Sequence, residues 1–133
     1  MKFTPCSDLR KIDKIAKASE AASTKNAIQY LRVNYISGAK GYICETVDDI
    51  AFYAGVMGKK HFRLYEIAVE KAYQHQGYGT AMMDRIKALC ITRGVSKITL
   101  RTSKQETAID FYRKYKAAIV GEKNNDWEVE ITL

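Results

Sequence analysis

The sequence predicts an α/β chain of the α+β mixed-sheet kind, one sheet of parallel and antiparallel strands with helices packed against it. Three observations predict it. Helical and strand periods alternate along the chain. Three strand-like runs follow one another between Tyr42 and Val69 with no helix between them. The segment Phe62–Arg101 then reads strand–helix–strand, a unit expected to cross over right-handed with its strands parallel.

Lys2–Pro5 is a short strand. Ser7 or Asp8 caps a helix that carries Leu9, Ile12 and Ile15 on one face. A second helix runs over Thr24–Tyr35 with Ile28, Leu31 and Tyr35 in register, and Gly38 and Gly41 break it. Tyr42–Val47, Ile50–Met57 and Phe62–Val69 form an antiparallel meander, turned at Asp48-Asp49 and Gly58-Lys59. Gly77–Arg93 is the strongest helix. Met82, Ile86, Leu89 and Arg93 mark its spacing, and Gly94 stands where a helix-ending glycine belongs. Lys97–Arg101 is a strand. Ser103-Lys104-Gln105-Glu106 matches a capping box that opens a helix through Ala108, Ile109, Tyr112 and Tyr115. Ala117–Gly121 is a strand and Asn124-Asn125-Asp126 a turn. Trp127, Val129, Ile131 and Leu133 alternate with polar residues in a final half-buried strand. The predicted order is β-α-α-β-β-β-α-β-α-β-β.

The 133 residues fit one domain, 1–133, large enough for its own core. A hydrophobic share of 47% against 28% charged residues excludes a disordered chain. No apolar run approaches the roughly 20 residues of a membrane helix. Met1-Lys2-Phe3-Thr4-Pro5 has no apolar signal core, so the expected location is cytoplasmic, with no membrane partner. Cys6, Cys44 and Cys90 are odd in number and far apart, which predicts buried free thiols. His61 and His75 are isolated from each other and no Cys/His spacing supports zinc, so no metal is expected. The net charge of +7 suits an anionic partner. Its basic residues are dispersed and no nucleic-acid motif occurs, so nucleic acid is not the expected partner.

The stretch that carries chemistry is Leu64–Thr80. A strand runs into a short polar loop, and the loop into the strong helix. Gly77 and Gly79 stand together at that helix entrance, although glycine in a helix costs about 1 kcal/mol relative to alanine. Something must approach the backbone closely there. Free N–H groups at a helix start, aided by the dipole, make an anion site that a diphosphate fits. A P-loop is excluded because Thr80-Ala81-Met82 follows Gly79. A dinucleotide fingerprint is excluded because Met82 stands where its third glycine belongs.

Gln74-His75-Gln76-Gly77-Tyr78-Gly79 does match Gln/Arg-x-x-Gly-x-Gly/Ala, the signature of the GNAT family of acetyl-CoA-dependent N-acetyltransferases. Ile67-Ala68-Val69 resembles the family's central strand at the usual spacing before the glycines. Ala108-Ile-Asp-Phe-Tyr112 resembles its Ala-x-x-x-Tyr helix. The resemblance covers most of the chain by element order and is specific over about Leu64–Tyr115. It implies the GNAT acyl-CoA N-acyltransferase fold, a central mixed sheet splayed around the cofactor and flanked by about four helices.

What the resemblance implies for individual residues is as follows. The backbone of Ile67, Ala68 and Val69 pairs with the pantetheine arm of acetyl-CoA, and a bulge in the central strand helps open the gap. The amides of Gln74, His75, Gln76, Gly77, Tyr78, Gly79 and Thr80 receive the pyrophosphate. Tyr112 is the general acid that protonates the departing thiolate. Gln105 stands where many relatives carry a cofactor-contacting asparagine, one methylene longer. Lys116-Ala117 replaces the family's usual Gly-Phe. Glu66 is the candidate general base, with Glu70 and His75 behind it. The Val69 amide, or an adjacent one, is the expected oxyanion donor. No residue suggests a covalent intermediate, so transfer to a primary amine is expected to be direct.

The acceptor is a small molecule or a protein amine, framed by Tyr30, Tyr35, Phe52, Tyr53, Asp126 and Trp127. A non-catalytic acyl-CoA-binding or adaptor module of the same fold is the open alternative, and a homodimer is compatible with the sequence.

Overall fold

The computed structural model describes the backbone of residues 1–20 and 26–133, and the side chains of residues 1–20 and 31–133. The predicted helix start at Thr24 and the side chain of Tyr30 lie outside the described residues. In chain order the elements are β1 (Phe3–Pro5), α1 (Leu9–Ala18), α2 (Asn26–Ile36), β2 (Tyr42–Val47), β3 (Ala51–Met57) and β4 (Phe62–Val69). A 3-10 turn (Lys71–Tyr73) leads to α3 (Tyr78–Thr92). Then come β5 (Lys97–Thr102), α4 (Glu106–Arg113), β6 (Ala118–Lys123) and β7 (Asp126–Thr132). The order is the predicted one.

All the strands join one seven-stranded sheet in the order β1-β2-β3-β4-β5-β7-β6. The pairing is antiparallel except between β4 and β5, which run parallel. The last hairpin folds back so that β7 lies between β5 and β6. That placement explains why β7 alternates cleanly, with Val129 and Ile131 buried, whereas the edge strand β6 is exposed throughout. The hairpin turns were read correctly. Asp48 and Asp49, and Asn124 and Asn125, all sit at positive φ, which short polar side chains tolerate best.

A core lies on each face. One packs Met82, Met83, Ile86 and Cys90 of α3 and Ile109 and Tyr112 of α4 against Phe62, Leu64, Ile98 and Leu100. The other packs Ile12, Ile15 and Ala16 of α1 and Val33 and Ile36 of α2 against Cys44, Phe52, Ala54 and Ala68. An ion pair between the buried Glu45 and the exposed Arg85 ties α3 to β2. Arg85 Nε and Nη2 donate to Glu45 Oε1 and Oε2 at 2.9 and 3.2 Å, and Tyr53 donates its hydroxyl to the same carboxylate. Burial alone raises the Glu45 pKa, but the Arg85 and Tyr53 hydrogen bonds hold it below the ordinary value.

Of the two candidate caps of α1, Asp8 is the one used, accepting from the Arg10 and Lys11 amides. Three local expectations need correction. The capping box at Ser103–Glu106 does not form. Gln105 is the N-cap and makes no side-chain cap bond, so the helix begins two residues later than the box would start it. On α2, Leu31 and Tyr35 face outward, and Val33 and Ile36 are the buried residues among the described side chains; that of Ile28 lies outside them. Of the thiols, Cys44 and Cys90 are buried, but Cys6 is only partly so.

The departure at Lys116 has a backbone consequence. Lys116 closes α4 at φ 59°, a conformation that glycine adopts without the roughly 1–2 kcal/mol that a Cβ costs there. Lys116→Gly is therefore expected to stabilise the fold by about 1 kcal/mol, or about 3 °C in Tm. A thermal melt showing no rise would mean that the lysine side chain repays the strain.

Candidate functional site

The site begins where two strands part. β4 and β5 are paired only at Phe62↔Ile98, Arg63↔Thr99 and Leu64↔Leu100. Beyond Leu64, β4 continues for five residues along β3 alone, and β5 continues along β7 alone. A gap therefore opens in the middle of the sheet, bordered by Tyr65–Val69. The register of β3 on β4 jumps there, from Ala54↔Glu66 to Gly55↔Leu64, which makes Tyr65 the extra residue of a β-bulge.

The bulge sets which way the chemistry points. Phe62 and Leu64 face the α3/α4 core, and so do Ile67 and Val69 after it. Tyr65 and Ala68 face the α1/α2 core. A strict period of two would put Glu66 on the face of Leu64. The inserted residue sends it to the α2 side instead, where Arg32 Nε approaches its Oε1 at 2.9 Å.

The second part is the mouth of α3. The Gln74 N–H is turned back on the Lys71 carbonyl at 3.3 Å, and its side-chain amide donates to the Ser19 and Val69 carbonyls at 2.9 and 3.0 Å. Gln74 thus ties the loop to β4 and to the end of α1. From His75 to Thr80 the situation differs. Among the described residues none of these six amides has an acceptor. His75 and Gly77 both take positive φ, 63° and 90°, so the loop turns its amides inward as anion-binding nests do. A Cβ on Gly77 would have only the Met1 side chain within reach, at 4.0 Å, so conformation demands this glycine. Gly79 is packed closely, and a Cβ there would stand 3.1 Å from the Phe111 ring of α4, which would have to shift by a few tenths of an ångström. The Tyr78 hydroxyl is held by Asp48 at 3.0 Å. Lys114, at the end of α4, reaches Thr80 Oγ1 at 3.1 Å and brings a cation to this mouth.

Glu66 and Tyr112 are the titratable groups buried beside the gap. Glu66 is 4% exposed, and burial pushes its carboxyl up to about 7, against the opposing pull of Arg32. Neither Glu66 Oε1 nor Arg32 Nε makes a hydrogen bond of acceptable geometry among the described residues, so the pair is in contact but not locked. Tyr112 is buried on α4 with its ring edge-on to Phe111 at 5.0 Å. Its hydroxyl is pushed up by burial first and by the Glu66 charge second, so it stays protonated at neutral pH. Burial also raises the Cys44 and Cys90 thiols, to about 12 and about 11, which removes both as nucleophiles. Glu70 is half-buried, and His75 and Gln105 are exposed.

The aromatic frame expected for an acceptor is only partly present. Phe52 and Tyr53 are fully buried on opposite faces of β3, so they are core residues. Asp126 and Trp127 lie half-buried at the start of β7, where Lys104 Nζ sits 4.3 Å over the indole. Tyr35 lines an open groove of about 700 Å³ with Ile36, Ala39, Val56, His61 and Tyr65. That groove shares Arg63 and Tyr65 with a cavity of about 90 Å³, whose other walls are Arg32, Leu64 and Arg101. Sequence reading missed Arg32, Arg63, Arg101 and Lys114. The period-two pattern does place Arg63 and Arg101 on the strand faces opposite Leu64 and Leu100, but only the sheet register makes them neighbours. Among the described residues no helix is long and apolar enough to cross a membrane, and no cluster of three metal-ligating side chains occurs.

A model of the "Acetyltransferase (GNAT) family" matches residues 19–116. Solved structures share the architecture over the whole chain. The PaiA N-acetyltransferase of Thermoplasma acidophilum, crystallised with coenzyme A, superposes with a TM-score of 0.68 at 14% identity, covering 100% of both chains. The aminoglycoside 6'-N-acetyltransferase of Enterococcus faecium superposes with a TM-score of 0.69 at 16% identity, covering 99% of this chain and 97% of its own. At such identities the likeness establishes the fold. No curated protein matches the sequence significantly.

Proposed function

Because the chain belongs to the GNAT acetyltransferase family, we propose that it transfers an acetyl group from acetyl-CoA to a primary amine in the cytoplasm, by direct attack within a ternary complex. The observation that carries the reading is the conjunction of an unpaired β4 edge with a run of unengaged amides one loop downstream. The edge offers backbone groups to an extended pantetheine arm, and the loop offers N–H donors to a diphosphate. Residues His75 through Thr80 supply those donors, with Lys114 adding charge. Gln74 serves by fixing the loop. The Ile67–Val69 backbone supplies the strand-like pairing.

The same residues divide the proton work. A lysine-like amine is protonated at neutral pH, since its pKa is near 10.4, and must lose a proton before attack. Glu66, poised near 7, accepts it. The Val69 amide, or its neighbour, donates to the thioester oxygen as charge gathers there. Tyr112, held neutral by burial, gives its proton to the leaving sulfur. Gln105, exposed and uncommitted at the start of α4, is available to the donor as well.

Thermal melts with acetyl-CoA, with CoA and without ligand test the donor site. At 100 times the dissociation constant, either ligand is expected to add about 2.7 kcal/mol. An unchanged melting temperature at millimolar ligand would end the reading. Tyr112→Phe is expected to keep that shift while turnover, followed by thiol release, falls about 100-fold. Unchanged turnover would remove the tyrosine from the chemistry.

A further inference from the structure

Arg32, Arg63 and Arg101 converge on one small cavity beside the β4 bulge. They come from three elements, α2, β4 and β5, and among the described residues two carboxylates answer them. Glu128 is shared: Arg63 Nη1 and Nη2 reach its two oxygens at 3.1 and 3.4 Å, and Arg101 Nε reaches Oε1 at 3.3 Å. Among the described residues, Glu66 forms an ion pair with Arg32 alone. Three guanidiniums against two carboxylates leave one positive charge, and two once Glu66 holds a proton. The next charges on this face, Lys97 and Glu130, neutralise each other at 2.6 Å. The Nη atoms of Arg32 and Arg101 have no acceptor among the described residues.

A wall of this kind repels a simple ammonium ion and attracts an anion. Its buried neighbour Glu66 is short of a hydrogen-bond partner at Oε1, next to the same Arg32. The volume, about 90 Å³, is near that of three waters, which suits a carboxylate. Planar forks of guanidinium bind carboxylates bidentately, as Arg63 already binds Glu128. The cavity adjoins the groove of Tyr35, Ile36, Val56 and Tyr65 across Arg63 and Tyr65, and that groove offers apolar and aromatic contact to a larger body.

We propose that the acceptor is a small amino acid-like molecule, a primary amine with a carboxylate a few bonds away and an apolar side chain. The carboxylate sits on Arg101 and Arg32, the side chain in the groove, and the amine points toward Glu66. This rests on the acetyltransferase reading above and names the substrate class of that site.

Matched pairs decide it. L-phenylalanine, L-leucine and L-methionine are compared with 2-phenylethylamine, isoamylamine and 3-(methylthio)propylamine as acceptors, with thiol release from acetyl-CoA as the readout. Calorimetry of the same compounds on the CoA complex gives affinities. At least one amino acid is expected to bind and react with a kcat/KM at least tenfold above that of its decarboxylated partner. Arg101→Gln should raise the KM for the amino acid at least tenfold, raise that for the plain amine far less, and leave CoA affinity unchanged. O-phosphoethanolamine reports whether phosphate replaces carboxylate, and its preference over every amino acid overturns the carboxylate assignment. The inference also fails if plain amines are preferred, if Arg101→Gln affects both partners equally, or if no amino acid binds the CoA complex. In each of those cases, CoA binding that persists leaves the acetyltransferase reading standing. Loss of CoA binding by the native chain would sink that reading instead.

Discussion

Replacing Glu66 with glutamine is expected to lower kcat/KM by about 100- to 1,000-fold and, at pH 8, to make the protein more stable. Both effects follow from one buried carboxyl. Its pKa stands near 7 in the folded chain against an ordinary value of 4.5. Between those values the folded state holds a proton that the unfolded chain has released. The stability this contributes is complete below about 4.5 and is lost as pH rises through 7. At about 1.4 kcal/mol per pH unit, the interval from 4.5 to about 7 comes to about 3 kcal/mol. Glutamine mimics the protonated form and keeps that stability at every pH. The severed contact with Arg32 offsets little, because that side chain is 42% exposed and finds water.

Two measurements check this. Urea denaturation from pH 5 to 8.5 should show the two proteins converging at the acid end and diverging by up to about 3 kcal/mol at the alkaline end. The rate profile of the native enzyme should rise with an apparent pKa near 7, and the variant should lack that limb. A glutamine variant that is less stable at pH 8, or that keeps native turnover, would show that Glu66 is a structural partner of Arg32 and not the base.

Glu66 also shows how far the sequence carries. The strand, the loop and the helix at Leu64–Thr92 were legible because each depends on local pattern: period two, a polar break, a pair of glycines and period 3.6. The direction of Glu66 was not. Read by alternation, it belongs with Phe62 and Leu64 in the α3/α4 core. Only the bulge opposite Ala54 and Gly55 turns it over, and a bulge is a property of two strands. The arginine cavity was illegible for the same reason. Arg63 and Arg101 lie 38 positions apart in sequence, and the pairings Arg63↔Thr99 and Arg101↔Glu128 bring them to one carboxylate. On α2 the reading chose the wrong stripe. Leu31 and Tyr35 looked like core, but Val33 and Ile36 fill the space against α1 and β3, leaving Tyr35 to the groove.

Substituting alanine for Gly55 is expected to cost about 3 kcal/mol or more and to abolish activity in what still folds. A Cβ there would lie 2.5 Å from the Arg63 carbonyl oxygen and closer still to Cζ of Phe62. Neither obstacle can yield. The first is backbone inside the β3–β4 ladder, and the second is the ring of a residue with no exposed surface. The strands must separate, and they must do so beside the bulge. Every displacement that relieves the clash therefore moves Tyr65 and Glu66 and changes the width of the gap at β5. Gly38, which has nothing within 4 Å of its Cβ position, supplies the control, and Gly38→Ala should leave activity intact. Denaturation midpoints and thiol release on both variants separate the outcomes. If Gly55→Ala folds within about 1 kcal/mol of native and still turns over, the close approach of β3 does not set the bulge. The orientation of the base would then have to come from the pull of Arg32 alone.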